Sequence, residues 1–304
     1  MAMLASLCAL RKTAEKRDFF CLHVEHGIRR AQESCGDAEF VRSFCKKNDI
    51  KCRIVHITPG KIAEMAQRRK IGIEAAARFF RHKILKKYAA KLGSDTLILL
   101  GHTKDDLLEL ALMRILRGAG PAGLAVMPKK RGRIIRPLLD MSKNDVIQYL
   151  KDKNISYRED STNTDTQFLR NRIRGILVPI LNKEFPFWKT GTEAMAKTQD
   201  LAADFITREA GYRIKWDADF SADAENFFAQ MQIIREEAVF IGINALCDKP
   251  GKKSIRRSVV RKFCTGLINS ADLGSIRIKL KNGRILLQKK QKEFFESGIL
   301  LPVK

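Results

Sequence analysis

GHTKDDLLELALMRILRGAGPAGL, residues 101–124, sets three carboxylates at the start of a helix that has almost no polar face. At roughly 100° per residue, Asp105, Glu109 and Asp106 fall in that angular order within about a quarter of the helix circumference. Behind them Leu107, Leu108, Leu110, Ala111, Leu112, Met113, Ile115 and Leu116 run nearly all the way round, the pattern of a helix buried in a core. The acidic tip then belongs at the mouth of that core. Directly before the helix stands TLILL (residues 96–100), a short apolar run of strand type. In an open parallel sheet, loops leaving the carboxyl ends of strands build the binding crevice.

Three more apolar runs lie to either side: FFCLHV (19–24), CRIVHI (52–57) and RIIRPLL (133–139). Between the runs, helical spacing covers 37–47, then 61–91 with a break near Gly72, then 103–117 and 142–153. In the last of these Ser142 and Asp145 stand as N-cap and third helical residue. Strands alternating with helices predict an α/β fold, a parallel sheet with helices on both faces. From about Pro186 the alternation stops. Residues 189–213, 223–246 and the basic stretch 254–266 predict helices, and IRIKL-KNG-RILLQ (276–288) predicts a hairpin. Its turn is Asn282-Gly283, with Ile276, Ile278 and Leu280 on one face. Two domains follow, 1–185 and a smaller, mainly helical 186–304 ending in a β-hairpin.

The chain has 304 residues, 45% hydrophobic and 30% charged, which places it with soluble globular proteins. Lys and Arg number 58 against 34 Asp and Glu, a formal charge of +24. Such an excess repels itself unless a polyanion partner is part of the job, and nucleic acid is the foremost one. A basic surface that binds nothing is the alternative. Seven cysteines, an odd number with no C-x-x-C pair, predict buried thiols in a reducing compartment, not disulfides, zinc or an iron–sulfur cluster. No apolar run reaches membrane-spanning length. MAMLASLCAL has apolar residues at helical spacing and no basic residue before them, so it predicts a helix of the fold and not a signal peptide. The expected location is the cytoplasm, with no membrane partner.

Each chemically suggestive cluster has an ordinary reading beside it. Asp105, Asp106 and Glu109 suit Mg²⁺ and nucleotide phosphates; they also suit a helix dipole, with Thr103 as N-cap. Gly118, Gly120 and Gly123 match G-x-G-x-x-G but follow a helix instead of opening one. They predict a helix stop, with Arg117 beside it for an anion. Glu74, Arg78 and Arg81 share one helical face, as an ion-pair ladder or as arginines turned to a polyphosphate. HVEHG (23–27) offers two histidines but no third metal ligand. YREDSTN (157–163) and RNRIR (170–174) bring arginine forks for phosphates, or a solvated basic helix start.

In order and spacing, HVEHGIR, IEAAARFFRH, GHTKDDLLELALMRILRGAGPAGL, IIRPLL, YREDSTN and RNRIR resemble the tRNA(Ile)-lysidine synthase family, in register from Met1 to about residue 182. Beyond 186, SIRRSVVRKF and the KNGRILLQ hairpin are similar, more loosely, to that family's tRNA-binding appendage. The resemblance implies a PP-loop ATPase fold and a cytoplasmic ligase using ATP and Mg²⁺. It implies that ATP adenylates the C2 carbonyl of the wobble cytidine of tRNA(Ile) with a CAU anticodon. Free L-lysine then displaces AMP, changing codon reading from AUG to AUA. Carried over by position, Asp105, Asp106 and Glu109 would be catalytic, Asp105 and Asp106 holding Mg²⁺. His26, Arg78, His102, Arg117 and Gly118 would meet ATP or substrate. Arg170, Asn171, Arg172, Arg174, Arg257 and Arg261 would contact tRNA. A homodimer is left open. A PP-loop enzyme that thiolates tRNA is the nearest alternative, and such chemistry generally uses a cysteine or a cluster.

Against the family pattern, Glu25 replaces Asp, His82 replaces Tyr and Ser161-Thr162 replaces Pro-Ser, all tolerable changes. The SGG-x-DS loop, which in the family wraps ATP phosphates with backbone N–H groups, has no counterpart. Neither does the strand before it. The expectation is a true start upstream, because the remaining pattern is consistent across levels; an inactive tRNA-binding remnant is the other reading. A chain beginning at Met1 is expected to bind ATP poorly and fold badly, with strands left unpaired at an edge.

Overall fold

Helix α1 (Ala2–Thr13) leads to strand β1 (Phe20–Glu25), helix α2 (Ala31–Lys47) and strand β2 (Lys51–His56) in a computed structural model. It describes residues 1–13, 18–28, 31–125, 127–158, 168–247 and 255–290. Residues 159–163 of YREDSTN, with Ser161-Thr162, lie outside the described residues, as do Arg29 and Ser254. β1 and β2 run parallel, Phe20 opposite Lys51 and Glu25 opposite His56. The turn between α2 and β2 is tight: Ile50 N–H donates to the Cys45 carbonyl, and Asp49 adopts a φ of 50°.

Helices α3 (Lys61–Arg69) and α4 (Ile73–Leu92) come next. The predicted break near Gly72 arises because Lys70 turns left-handed at φ 52° to close α3, while extended Gly72 caps α4. Then follow β3 (Ile98–Leu99), α5 (Lys104–Ile115), α6 (Pro121–Leu124), β4 (Lys130–Arg131), β5 (Ile134–Ile135) and α7 (Lys143–Asp152). β3 and β5 are parallel, and β4 joins β5 antiparallel.

This is the expected α/β architecture with two differences. Among the described residues β1–β2 and β3–β5–β4 form separate sheets, and α4 packs against both β1 and β3. TLILL and RIIRPLL also give only two residues each to their strands. In RIIRPLL the cause is Pro137, which has no N–H to extend the ladder.

Helix α5 departs from its expected burial. Its acidic start is the covered part: Leu108, Glu109 and Ala111 are buried, whereas Ile115 and Leu116 are 43% and 60% exposed. The α7 capping box forms as the sequence predicts, with Ser142 and Asp145 bonding reciprocally. Helix α8 (Leu169–Arg172) runs through a π turn (Ile173–Leu177) into α9 (Val178–Glu184), followed by α10 (Trp188–Arg213).

The chain divides within α10 into two compact units, 1–198 and 199–304. The second contains β6 (Ser221–Asp223), α11 (Ala224–Ala229), α12 (Gln232–Leu246), α13 (Arg257–Cys264), β7 (Ser270–Leu273), β8 (Ile276–Lys281) and β9 (Arg284–Lys289). β8 and β9 are the predicted hairpin, turning where Asn282 and Gly283 both take positive φ. Ile276 and Ile278 are fully buried beside Phe227, Phe263 and Leu287. The sequence did not signal β6 and β7, which widen the hairpin to an antiparallel sheet in the order β6-β9-β8-β7. No described helix is long and apolar enough to cross a membrane.

Candidate active site

Leaving the carboxyl end of β3, the chain passes through Leu100, Gly101 and His102 to Thr103, the N-cap of α5. Thr103 donates its backbone N–H and its hydroxyl to Asp106 Oδ2, at 2.8 and 3.1 Å. A cavity of about 260 Å³ opens here. Gly101, His102 and Asp106 line one side; Arg78, Arg81, His82 and Leu85 of α4 face them, and Arg170 of α8 closes the rim.

Three guanidiniums therefore meet one carboxylate. Burial lowers the pKa of Arg78 and Arg81, and neighbouring arginines lower both further. That is the signature of positive charge held without enough counter-charge. An anion in the cavity would relieve it. The two histidines respond in the same sense. Burial pushes His102 down to about 4, helped by Arg78, Arg136 and Arg170 and opposed by Asp106. His82 is pushed down to about 4 by burial, then by Arg78, Arg81, Lys86 and Arg136. Both rings are neutral at neutral pH. Nδ1 of His102 is buried and finds no hydrogen-bond partner among the described residues.

These shifts predict a pH dependence. An unfolded chain protonates both histidines below their ordinary pKa of 6.5, while the folded chain waits until about 4. Between those values the unfolded state binds more protons, so stability falls as pH falls. Urea unfolding at pH 7 and pH 5 should show the parent losing more stability than a His82→Gln/His102→Gln variant. Equal losses would mean the rings are not buried neutral.

The three acids of α5 go three ways. Asp105 Oδ2 accepts from the Lys143 backbone N–H at the start of α7, 2.5 Å away, and does not line the cavity. Asp106 does line it and pairs with Arg170 through its second oxygen. Glu109, 4% exposed, accepts from Arg170 Nε at 2.8 Å and from Arg174 Nε and Nη2 at 2.7 and 3.0 Å. Burial pulls the Arg170 pKa down, but its bonds to Glu109 and the charges of Asp106 and Glu74 more than offset that. For a divalent cation, one cavity carboxylate, Asp106, joined by phosphate oxygens is a donor set that fits Mg²⁺.

The other predicted residues are spread more widely. His26 follows β1, and Gly27 after it needs its φ of 62°, since a Cβ would lie 2.9 Å from the Ile57 carbonyl. Glu25 pairs with the His56 ring. Arg117 and Gly118 follow the other end of twelve-residue α5, about 18 Å from its acidic tip by helical rise; Gly118 is left-handed at φ 67°. Asn171 and Arg172 share a turn with Arg170, and Arg172 is exposed. In the second unit Arg261 Nε lies 3.1 Å from buried Glu236, and Arg257 stacks over Phe240 at 5.0 Å. Those two arginines tie α13 to α12. Sequence reasoning did not assign Arg81, His82 or Leu85 to the site. They follow Arg78 at i+3, i+4 and i+7, so helical periodicity extended from Arg78 would have found them.

The PP-loop domain family matches residues 1–181. The tRNA(Ile)-lysidine synthase of Treponema denticola is 39% identical over 215 residues, 71% of this chain and 46% of that protein. That of Caldanaerobacter subterraneus subsp. tengcongensis is 30% identical over 244 residues, 80% of this chain and 48% of that protein. The chain spans less than half the length of these two curated relatives. Among solved structures, the U34-tRNA thiolase NcsA from Methanococcus maripaludis superposes with a TM-score of 0.52 at 20% identity, over 64% of this chain and 68% of that one. At that identity the likeness concerns the fold alone.

Proposed function

Because the chain belongs to the PP-loop domain family, we propose that it is a tRNA(Ile)-lysidine synthase, acting in the cytoplasm on tRNA(Ile) with a CAU anticodon, ATP and free L-lysine. The observation that carries this reading is the cavity after β3, where Arg78, Arg81 and Arg170 outnumber Asp106. Such a site is built for a polyphosphate. Arg78 and Arg81 hold the triphosphate, and Arg170, fixed by Glu109, stands at the rim. Mg²⁺, with Asp106 as its protein ligand, would neutralise phosphate charge.

In the first step the C2 carbonyl oxygen of the wobble cytidine attacks the α-phosphorus and pyrophosphate leaves. The base then carries AMP, a far better leaving group than the carbonyl oxygen. In the second step the lysine amine bonds to C2, AMP departs and one proton is lost. The groups at the cavity able to take that proton are the Asp106 carboxylate and the neutral His102 ring. Asp105 and Glu109 act through others: Asp105 ties α5 to α7, and Glu109 aims Arg170 and Arg174. Exposed Arg172 on α8, with Arg256, Arg261 and Lys262 on α13, offers the tRNA backbone positive charge in keeping with the net +24.

Mass spectrometry of wobble nucleosides from cells depleted of this protein tests the reading. Lysidine should disappear and unmodified cytidine take its place. Unchanged lysidine, in cells with no second such enzyme, would remove the proposal. Loss of a thiolated uridine instead would move the chain to the thiolating branch.

A further inference from the structure

A second cluster lies at the amino ends of β1 and β2, apart from the residues that line the cavity. Cys21 and Cys52 are register partners in the parallel pair. Cys45 sits near the end of α2, and the tight turn into β2 seats it against them. The three sulfurs all lie within 4.8 Å of one another. Bonds of about 2.3 Å to a tetrahedral cation need sulfurs about 3.8 Å apart, so closure asks for shifts of about an ångström or less. Leu4, Phe19, Val41, Phe44 and Ile50 wall the group, and Cys8 of α1 packs against it as well.

We propose that Cys21, Cys45 and Cys52 form a structural site for a thiophilic divalent cation of the Zn²⁺ class. Three S–H bonds break, three metal–sulfur bonds form and three protons leave to solvent, so the filled site carries one negative charge. A monovalent soft cation would leave two negative charges in the same apolar surround, which costs more. Burial pushes the Cys45 thiol up to about 11 and Cys21 also upward, so without a cation these thiols stay protonated. No C-x-x-C spacing announces the site, because three separate elements bring the sulfurs together. Filled, it would tie β1, α2 and β2 to one point.

The test uses the reduced, metal-stripped, full-length protein and Co²⁺ as a coloured stand-in. One equivalent should bring a thiolate-to-cobalt charge-transfer band, which Zn²⁺ then abolishes. Zn²⁺ should also slow alkylation of half-buried Cys52 while leaving Cys247 unchanged, read by mass spectrometry. Cys52→Ser should weaken Zn²⁺ binding by about a hundredfold, and Cys247→Ser should not. No charge-transfer band, Zn²⁺-indifferent alkylation of Cys52, or a Cys21–Cys52 disulfide forming in the presence of Zn²⁺ would each overturn the proposal. The first two readouts use the parent chain, so they stand even if Cys52→Ser fails to fold.

Discussion

Glu109→Gln is expected to destabilise the first unit by about 2–3 kcal/mol, because it strands two partly buried guanidiniums. Glu109 is nearly inaccessible, and both of its oxygens are taken up by Arg170 and Arg174. Breaking a fully buried pair costs about 3–5 kcal/mol. The figure here is lower because the side chains of Arg170 and Arg174 keep 25% and 32% of their surface exposed, and Asp106 still meets Arg170. Urea unfolding of Glu109→Gln, Arg174→Gln and the double variant gives the coupling between them, expected at about 1–2 kcal/mol. A cost under about 0.5 kcal/mol would place the pair with solvent-screened surface bridges.

Arg78→Glu should weaken ATP binding to the full-length protein by at least a factor of about 100, or about 2.7 kcal/mol. The change removes one guanidinium from the cavity and puts a carboxylate beside Asp106, so the triphosphate meets repulsion where it had attraction. Arg117→Glu should leave the Kd within about twofold, since Arg117 stands at the far end of α5, a separation over which salt screens exposed charges. Equilibrium titration with ATP checks both. Equal losses for the two variants would mean that only overall charge matters; no loss at Arg78 would take the phosphates out of this cavity.

The parallel strands and their intervening helices were legible because apolar runs and helical spacing are local signals. Ser142 with Asp145, and Asn282 with Gly283, were legible for the same reason: cap and turn chemistry resides in a few adjacent residues. What stayed hidden depended on distant partners. RNRIR gave arginines free to grip a phosphate, and only the fold brings Arg170 and Arg174 onto Glu109, more than sixty positions away. Asp105 looked equivalent to Asp106, yet one step along the helix turned it to the Lys143 amide. Cys21, Cys45 and Cys52 gave no pattern at all, because their proximity is made by strand register and a turn.

The π turn at Ile173–Leu177 has a consequence for how this region can vary in length. A π turn holds one residue more than an α turn, so it is a single-residue insertion absorbed within a continuous rod. Removing one residue there would heal the rod into ordinary α-helix and swing everything beyond it through about 100°. Arg170, which precedes the turn, would keep its aim while α9 acquired a new heading. Insertion and deletion at this one place thus re-aim downstream sequence without composing a new helix, a steering degree of freedom that point substitution does not offer.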